Sequence, residues 1–192
     1  MIPTHNLSGV LPPFTGDSPV YKASVSPYPC SVGEFAGRFS SSSERAALLS
    51  GFLEYRAALL ACGFTDGFQW VDGSFLENIE ALKGRPPGDI DVVTLLHRPV
   101  SIKTSADWKA FVEANADLLF PQFIKSRFRC DAYIVDLDVR SDILVKDVYY
   151  WYGLFSHQRS TFLWKGMLEI PLRSDDGRAL EILKELRDAE KI

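Results

Sequence analysis

The stretch Asp89-Ile90-Asp91-Val92-Val93-Thr94-Leu95-Leu96 limits what this chain can fold into more than any other. It is short and rich in β-branched and apolar residues, and reads as a largely buried strand. Residues i and i+2 of a strand share a face, so Asp89 and Asp91 project side by side while Ile90 and Val92 pack the other way. Two carboxylates that close repel each other, and Asp91, set between Ile90 and Val92, loses hydration without a partner. The usual resolution is a hard divalent cation with oxygen ligands, Mg²⁺ or Mn²⁺. For Asp89 a turn role after Pro86-Pro87-Gly88 stays open. The pattern alone is not specific: with fifteen aspartates, about one Asp-x-Asp arises by chance. A second occurs at Asp136-Leu137-Asp138 and reads as a solvated strand end.

The flanking segments supply a sheet for that strand. Phe68–Asp72 reads as a short strand running into Gly73-Ser74, and Phe75–Lys83 has helical spacing until Gly84-Arg85-Pro86-Pro87-Gly88 breaks it. Ser41 followed by Glu44 forms a capping-box pattern ahead of Ala46, Leu49, Phe52, Leu53, Ala57 and Leu60, and Gly63 supplies the stop. Further on we expect a helix over Ser105–Phe120 closed by Pro121 and a strand over Cys130–Leu137. A helix over Asp142–Ser156, a strand over Phe162–Leu172 and an amphipathic helix over Ala179–Ala189 complete the series. Short strands separated by helices make an α/β (α+β) domain, a small mixed sheet flanked by helices. Residues 1–39, rich in Pro, Gly and Ser, read as an irregular N-terminal arm packed on the domain, with Tyr21, Tyr28, Phe35 and Phe39 as anchors. Residues 40–192 read as a single globular unit.

Composition narrows the function classes. The 192 residues are 46% hydrophobic and 12% aromatic, enough for one real core. Lys and Arg number 21 against 25 Asp and Glu, and no basic run occurs, which argues against strong non-specific DNA binding. Cys30, Cys62 and Cys130 are odd in number and widely spaced, so neither a disulfide framework nor a Cys-x-x-Cys zinc knuckle is expected. His5, His97 and His157 are too few for a His-rich metal site. No apolar run approaches the ~20 residues of a membrane span, and Met1–Pro12 lacks the basic start and apolar stretch of a signal peptide. The expectation is a soluble, cytoplasmic protein.

Gly73-Ser74 falls where a strand turns toward a helix. The glycine admits a ligand close to the backbone, the N–H groups there can receive phosphate oxygens, and Ser74 adds a hydroxyl donor. A phosphate cradle beside metal-binding carboxylates is the equipment of phosphoryl or nucleotidyl transfer. The combination Val71-Asp72-Gly73-Ser74 followed by Asp89-Ile90-Asp91-Val92 resembles the DNA-polymerase-β-like nucleotidyltransferase superfamily: strand, Gly-Ser, short helix, then Asp-hydrophobic-Asp on the next strand. The resemblance spans roughly Ser41 to Asp138. Fourteen residues separate Ser74 from Asp89, slightly more than usual in the family, and the excess falls in the Gly84–Gly88 turn. Ser8–Pro13 and Trp164-Lys165-Gly166-Met167 are similar to a small bacterial and phage branch of that superfamily.

The resemblance implies an Mg²⁺- or Mn²⁺-dependent enzyme that moves a nucleoside monophosphate from an NTP to a hydroxyl of a protein, RNA or small-molecule acceptor. A cognate partner protein and a toxin–antitoxin or phage-defence setting belong to the same implication. It also implies a third carboxylate on a neighbouring strand that binds metal and takes the acceptor's proton. Asp131 is the best candidate, with Asp136 as the alternative; Asp89, Asp91 and Asp131 would then form the catalytic and metal-binding set. Cations for the triphosphate are expected from Arg159 and Lys165, which flank Ser160–Trp164, with Arg85, Arg127 and Arg129 as further candidates. Tyr149, Tyr150, Trp151, Tyr152 and Phe155 could stack on a base, although at helical spacing they also suit a core. Two other readings stay open: a catalytically idle nucleotide- or partner-binding module, and a metal-dependent phosphohydrolase or nuclease.

Overall fold

The computed structural model describes residues 1–159 and 161–190. In chain order the elements are β1 (Tyr28–Pro29), α1 (Val32–Phe39), α2 (Ser43–Ala61), β2 (Gly67–Asp72), α3 (Ile79–Lys83), β3 (Ile90–Leu96), α4 (Ser105–Ala114) and α5 (Ala116–Leu119). They continue with α6 (Pro121–Phe128), β4 (Cys130–Asp136), α7 (Ser141–Phe155), β5 (Leu168–Pro171) and α8 (Asp176–Glu190). The strands form one mixed sheet in the order β1-β5-β2-β3-β4. β2 runs antiparallel to β3 and to β5, whereas β3–β4 and β1–β5 are parallel. Helices flank both faces, giving a mixed α/β architecture. Among the described residues no helix is long and apolar enough to cross a membrane.

The period-two alternation of each strand divides the apolar residues between two layers. On one face Val71, Ile90, Val92, Cys130, Ala132, Leu168 and Ile170 pack with Phe35, Phe52, Leu59, Ile124 and Leu183 of the surrounding helices. On the other face Trp70, Val93, Leu95, Val135 and Met167 pack under α7, which offers Val148, Trp151, Tyr152 and Phe155.

Within the larger layer sits a fully buried guanidinium. Arg56 of α2 donates to Asp176 (Nε to Oδ1, 2.7 Å), to Gln69 Oε1 (2.6 Å) and to the carbonyls of Pro171 and Leu172 (3.0 and 2.9 Å). Gln69 in turn donates to Thr94 Oγ1 at 3.1 Å. One charge therefore ties α2, β2, β3, the end of β5 and the start of α8, and its planar fork of donors suits that task. Arg45 lies eleven residues earlier, three turns along the same face of α2.

Several boundaries differ from the sequence reading, each for a local reason. The cap of α2 is Ser42, whose side chain accepts from Arg45 N, so the Ser41/Glu44 box does not form. The expected helix over Phe75–Lys83 is a three-residue 3-10 turn (Ser74–Leu76) followed by α3, because Arg45 takes the Phe75 and Glu77 carbonyls at 2.7 and 2.9 Å. The 105–120 segment is capped by Thr104 and breaks at Asn115. Pro121 opens α6 instead of ending a helix, since at the first helical position its missing N–H costs nothing. The strand expected over Phe162–Leu172 is confined to Leu168–Pro171. Finally, residues 28–39 are regular rather than irregular: β1 adds an edge strand, and Ser31 and Glu34 form a capping box on α1. Tyr28, Phe35 and Phe39 are buried, while Tyr21 is exposed.

Replacing Arg56 by Met leaves Gln69, two carbonyls and Asp176 without their donor. The variant should lose about 3–5 kcal/mol of stability, read as a lowered urea midpoint at unchanged slope.

Candidate active site

The strand register brings the acidic residues together. Asp72 at the end of β2 lies opposite Asp91 of β3, and Asp91 lies opposite Asp131 of β4. All three share the face of Trp70, Val93 and Tyr133, the face that α7 covers. α7 ends at Phe155, short of the acidic end, and the chain then returns through Lys165 to β5. Between these walls lies a cavity of about 340 Å³. Asp89, Asp91, Asp131, Gly73, Ser74, Arg159 and Lys165, the seven residues singled out from sequence, all line it; Ser160 lies outside the described residues. Asp72, Glu77 and Lys125 line it too, and sequence reasoning passed over them.

The negative charge is met by two lysines. Lys165, only 4% exposed, places Nζ 2.7 Å from Asp72 Oδ2 and 3.5 Å from Glu77 Oε1, and Gln158 Nε2 donates to Glu77 Oε2 at 3.0 Å. Burial raises the Asp72 carboxyl to about 7, outweighing the Lys165 ammonium, which pulls the other way. Its other oxygen, Oδ1, is buried and has no hydrogen-bond partner among the described residues. Lys125 of α6 sits 2.7 Å from Asp89 Oδ2 and 3.5 Å from Asp131 Oδ2. Asp91 makes no ion pair among the described residues. Burial, with Asp89 and Asp131 adding to it, raises its carboxyl to about 6, against the pull of Lys165 and Arg159.

Backbone geometry explains Gly73. Its φ of +82° is costly for any side chain, and a Cβ there would collide with Asp91 Oδ2. The following turn is braced by Arg45, which also pairs with Glu80 at 2.6 Å and lies over the Phe75 ring. Residues near the N-terminus strap the site loops. His5 Nε2 donates to the Leu76 carbonyl (2.7 Å), Asn78 N to the Gly9 carbonyl (2.8 Å) and Gly166 N to the Leu11 carbonyl (2.8 Å).

The other candidates divide between the cavity and the rest of the fold. Asp136 pairs with Arg98 at 2.7 Å at the opposite end of β4, so Asp131 is the carboxylate beside Asp91. Arg127 pairs with Asp117, and Arg129 serves as the left-handed cap of α6. Arg85 and the exposed His157 line the cavity. Trp151, Tyr152 and Phe155 pack on the sheet, whereas Tyr149 and Tyr150 are exposed.

Among the described residues, no three His, Cys, Asp or Glu side chains stand close enough to grip a metal ion as they are. The donor set nevertheless fits Mg²⁺ or Mn²⁺: the oxygens are hard, a cation is already accommodated between Asp89 and Asp131, and Asp72 keeps an oxygen without a partner. Cys30 and Cys130 are buried free thiols and Cys62 is a half-buried one.

Residues 3–171 match the model of DUF6932, described as a family of unknown function, and the chain belongs to that family. No curated protein and no solved structure matches the chain.

The raised Asp91 carboxyl carries a stability consequence. Folded Asp91 holds its proton up to about pH 6, while the unfolded chain releases it near 3.8. Stability therefore falls as pH rises through that window and stays lower above it. Asp91→Asn should be more stable than wild type by about 2–3 kcal/mol at pH 8, and the gain should shrink toward pH 4. Thermal denaturation in metal-free buffer at both pH values checks this.

Proposed function

We propose that the chain is a divalent-metal-dependent nucleotidyltransferase that moves a nucleoside monophosphate from an NTP to a hydroxyl of a protein, RNA or small-molecule acceptor. The observation that carries this reading is the placement of Asp91 and Asp131 in register on adjacent strands, with Asp89 beside them and Gly73-Ser74 across the same cavity. That arrangement matches what the superfamily resemblance implies. A bound Mg²⁺ or Mn²⁺ would supply positive charge to the triphosphate and to the attacking oxygen. Asp89, Asp91 and Asp131 are the residues that would hold it.

The remaining work falls to the chain's own groups. Ser74 and the backbone at Gly73 receive phosphate oxygens, and Arg159, on the cavity wall, offers a cationic fork to the triphosphate. Lys165 has a different assignment from the one expected from sequence. Locked between Asp72 and Glu77, it chiefly holds the Gly73-Ser74 turn against the return loop. Asp131, at the open side of the carboxylate row, accepts the acceptor's hydroxyl proton. The acceptor oxygen bonds to the α-phosphorus, the bond from that phosphorus to the α,β-bridging oxygen breaks, and pyrophosphate leaves.

The test is incubation with each of four α-³²P-labelled NTPs and Mg²⁺ or Mn²⁺, with cell lysate as acceptor source. Wild type should label a protein or RNA band, and Asp89→Ala/Asp91→Ala should lose at least ~100-fold of that signal, as removal of metal-held charge stabilisation does. Binding of Mg²⁺-NTP without label would favour an idle binding module. Release of inorganic phosphate or cut strands would favour a phosphohydrolase or nuclease.

A further inference from the structure

The two cavity lysines are held in different ways. Lys165 has a side chain only 5% exposed and is locked between Asp72 and Glu77. Lys125 pairs just as closely, 2.7 Å to Asp89 and 3.5 Å to Asp131, yet its side chain is 52% exposed. Its backbone is fixed on α6, whose left-handed cap at Arg129 drops the chain straight into β4 and Asp131. The ammonium itself sits at the end of a flexible four-carbon stem with water on one side, so it can swing into solvent without moving α6, leaving the Asp89 and Asp131 carboxylates to another cation. Both carboxylates that Lys125 joins are neighbours of Asp91, Asp89 two residues before it and Asp131 opposite it on β4, and Asp91 has no ion-pair partner of its own among the described residues. Asp72 adds a buried oxygen, Oδ1, without a donor. Of the five cationic side chains on the cavity wall, only Lys125 and Lys165 are paired with its carboxylates among the described residues; Lys83, Arg85 and Arg159 are not, and Asp91 is left without a close cation.

Resting on the metal-dependent reading above, we propose that Lys125 is an exchangeable counter-cation: its ammonium holds Asp89 and Asp131 when no divalent ion is bound, and it competes with the ion for the same carboxylate oxygens. Lys125 is thus a positioning residue. It keeps the acidic strands in register without metal and sets how much ion is needed to load the site. A neutral side chain of similar length removes the competitor and leaves the donors intact.

The experiment is Mn²⁺ titration by calorimetry on the full chain, without nucleotide, for wild type, Lys125→Met and Lys125→Arg, each also melted in EDTA and in Mn²⁺. Lys125→Met should bind Mn²⁺ about tenfold more tightly than wild type. It should melt lower than wild type in EDTA, because its carboxylates then repel one another uncompensated, and should regain that loss in Mn²⁺. Lys125→Arg keeps the charge and should bind no more tightly than wild type, which separates competition from a general loosening of α6. Asp89→Asn/Asp131→Asn serves as the site control. If that control abolishes Mn²⁺ binding while Lys125→Met binds as wild type does or more weakly, the exchange is overturned and the metal-dependent reading stands. If neither wild type nor Lys125→Met binds Mn²⁺, both fall together.

Discussion

The buried guanidinium of Arg56 is the contact on which the arrangement of the other parts depends. A charge without water is expensive, and here its hydrogen bonds go to acceptors on three other parts of the fold: a strand amide of β2, two carbonyls at the end of β5 and the first carboxylate of α8. Shifting β2 along β5 by one residue would strand that charge, so the network fixes the register of the strands as well as holding them. Register matters because Asp72, Asp91 and Asp131 are neighbours only in this pairing. Arg45, three turns away on the same helix, performs the matching task for the turn after Gly73. α2 acts as a bracket, with one arginine under the sheet and one behind the site.

The acidic end shows the opposite economy. Carboxylates are crowded where they repel, and the nearest hydrophobic cover, α7, stops short of them. The fold tolerates this because, the Arg56–Gln69–Thr94 network apart, the buried residues on the rest of both faces are apolar. Strain of this kind, concentrated at one end of an otherwise consistent sheet, is characteristic of places built to bind something.

What could be read from sequence was what a strand or a turn announces locally. Asp89 and Asp91 stood out because acids interrupt an apolar run, and Gly73-Ser74 because it ends one. Asp131 followed from the resemblance, which implies a third carboxylate on a neighbouring strand, and from the apolar run that marks that strand. Asp72 escaped notice because an acid closing a strand looks like an ordinary strand end; only the register shows it opposite Asp91. Lys125 was hidden by Pro121, which read as a stop although it begins α6. Arg45 and Arg56 occupy a helix whose apolar stripe was sufficient to identify it, and nothing local says that two arginines join that stripe. α1 was lost in a Pro- and Ser-rich stretch, although its Ser31-x-x-Glu34 box was legible.

The strap of N-terminal residues across the site loops has a consequence for how the chain assembles. Gly9 and Leu11 hold the loops at Asn78 and Gly166, the second contact spanning more than three-quarters of the polypeptide. Loops that long are slow to close, and they have nothing to latch onto until the far partner has left the ribosome. Gly9 and Leu11 therefore find their places only after the segment around Gly166 has been made, and the cavity takes its shape only when both are present.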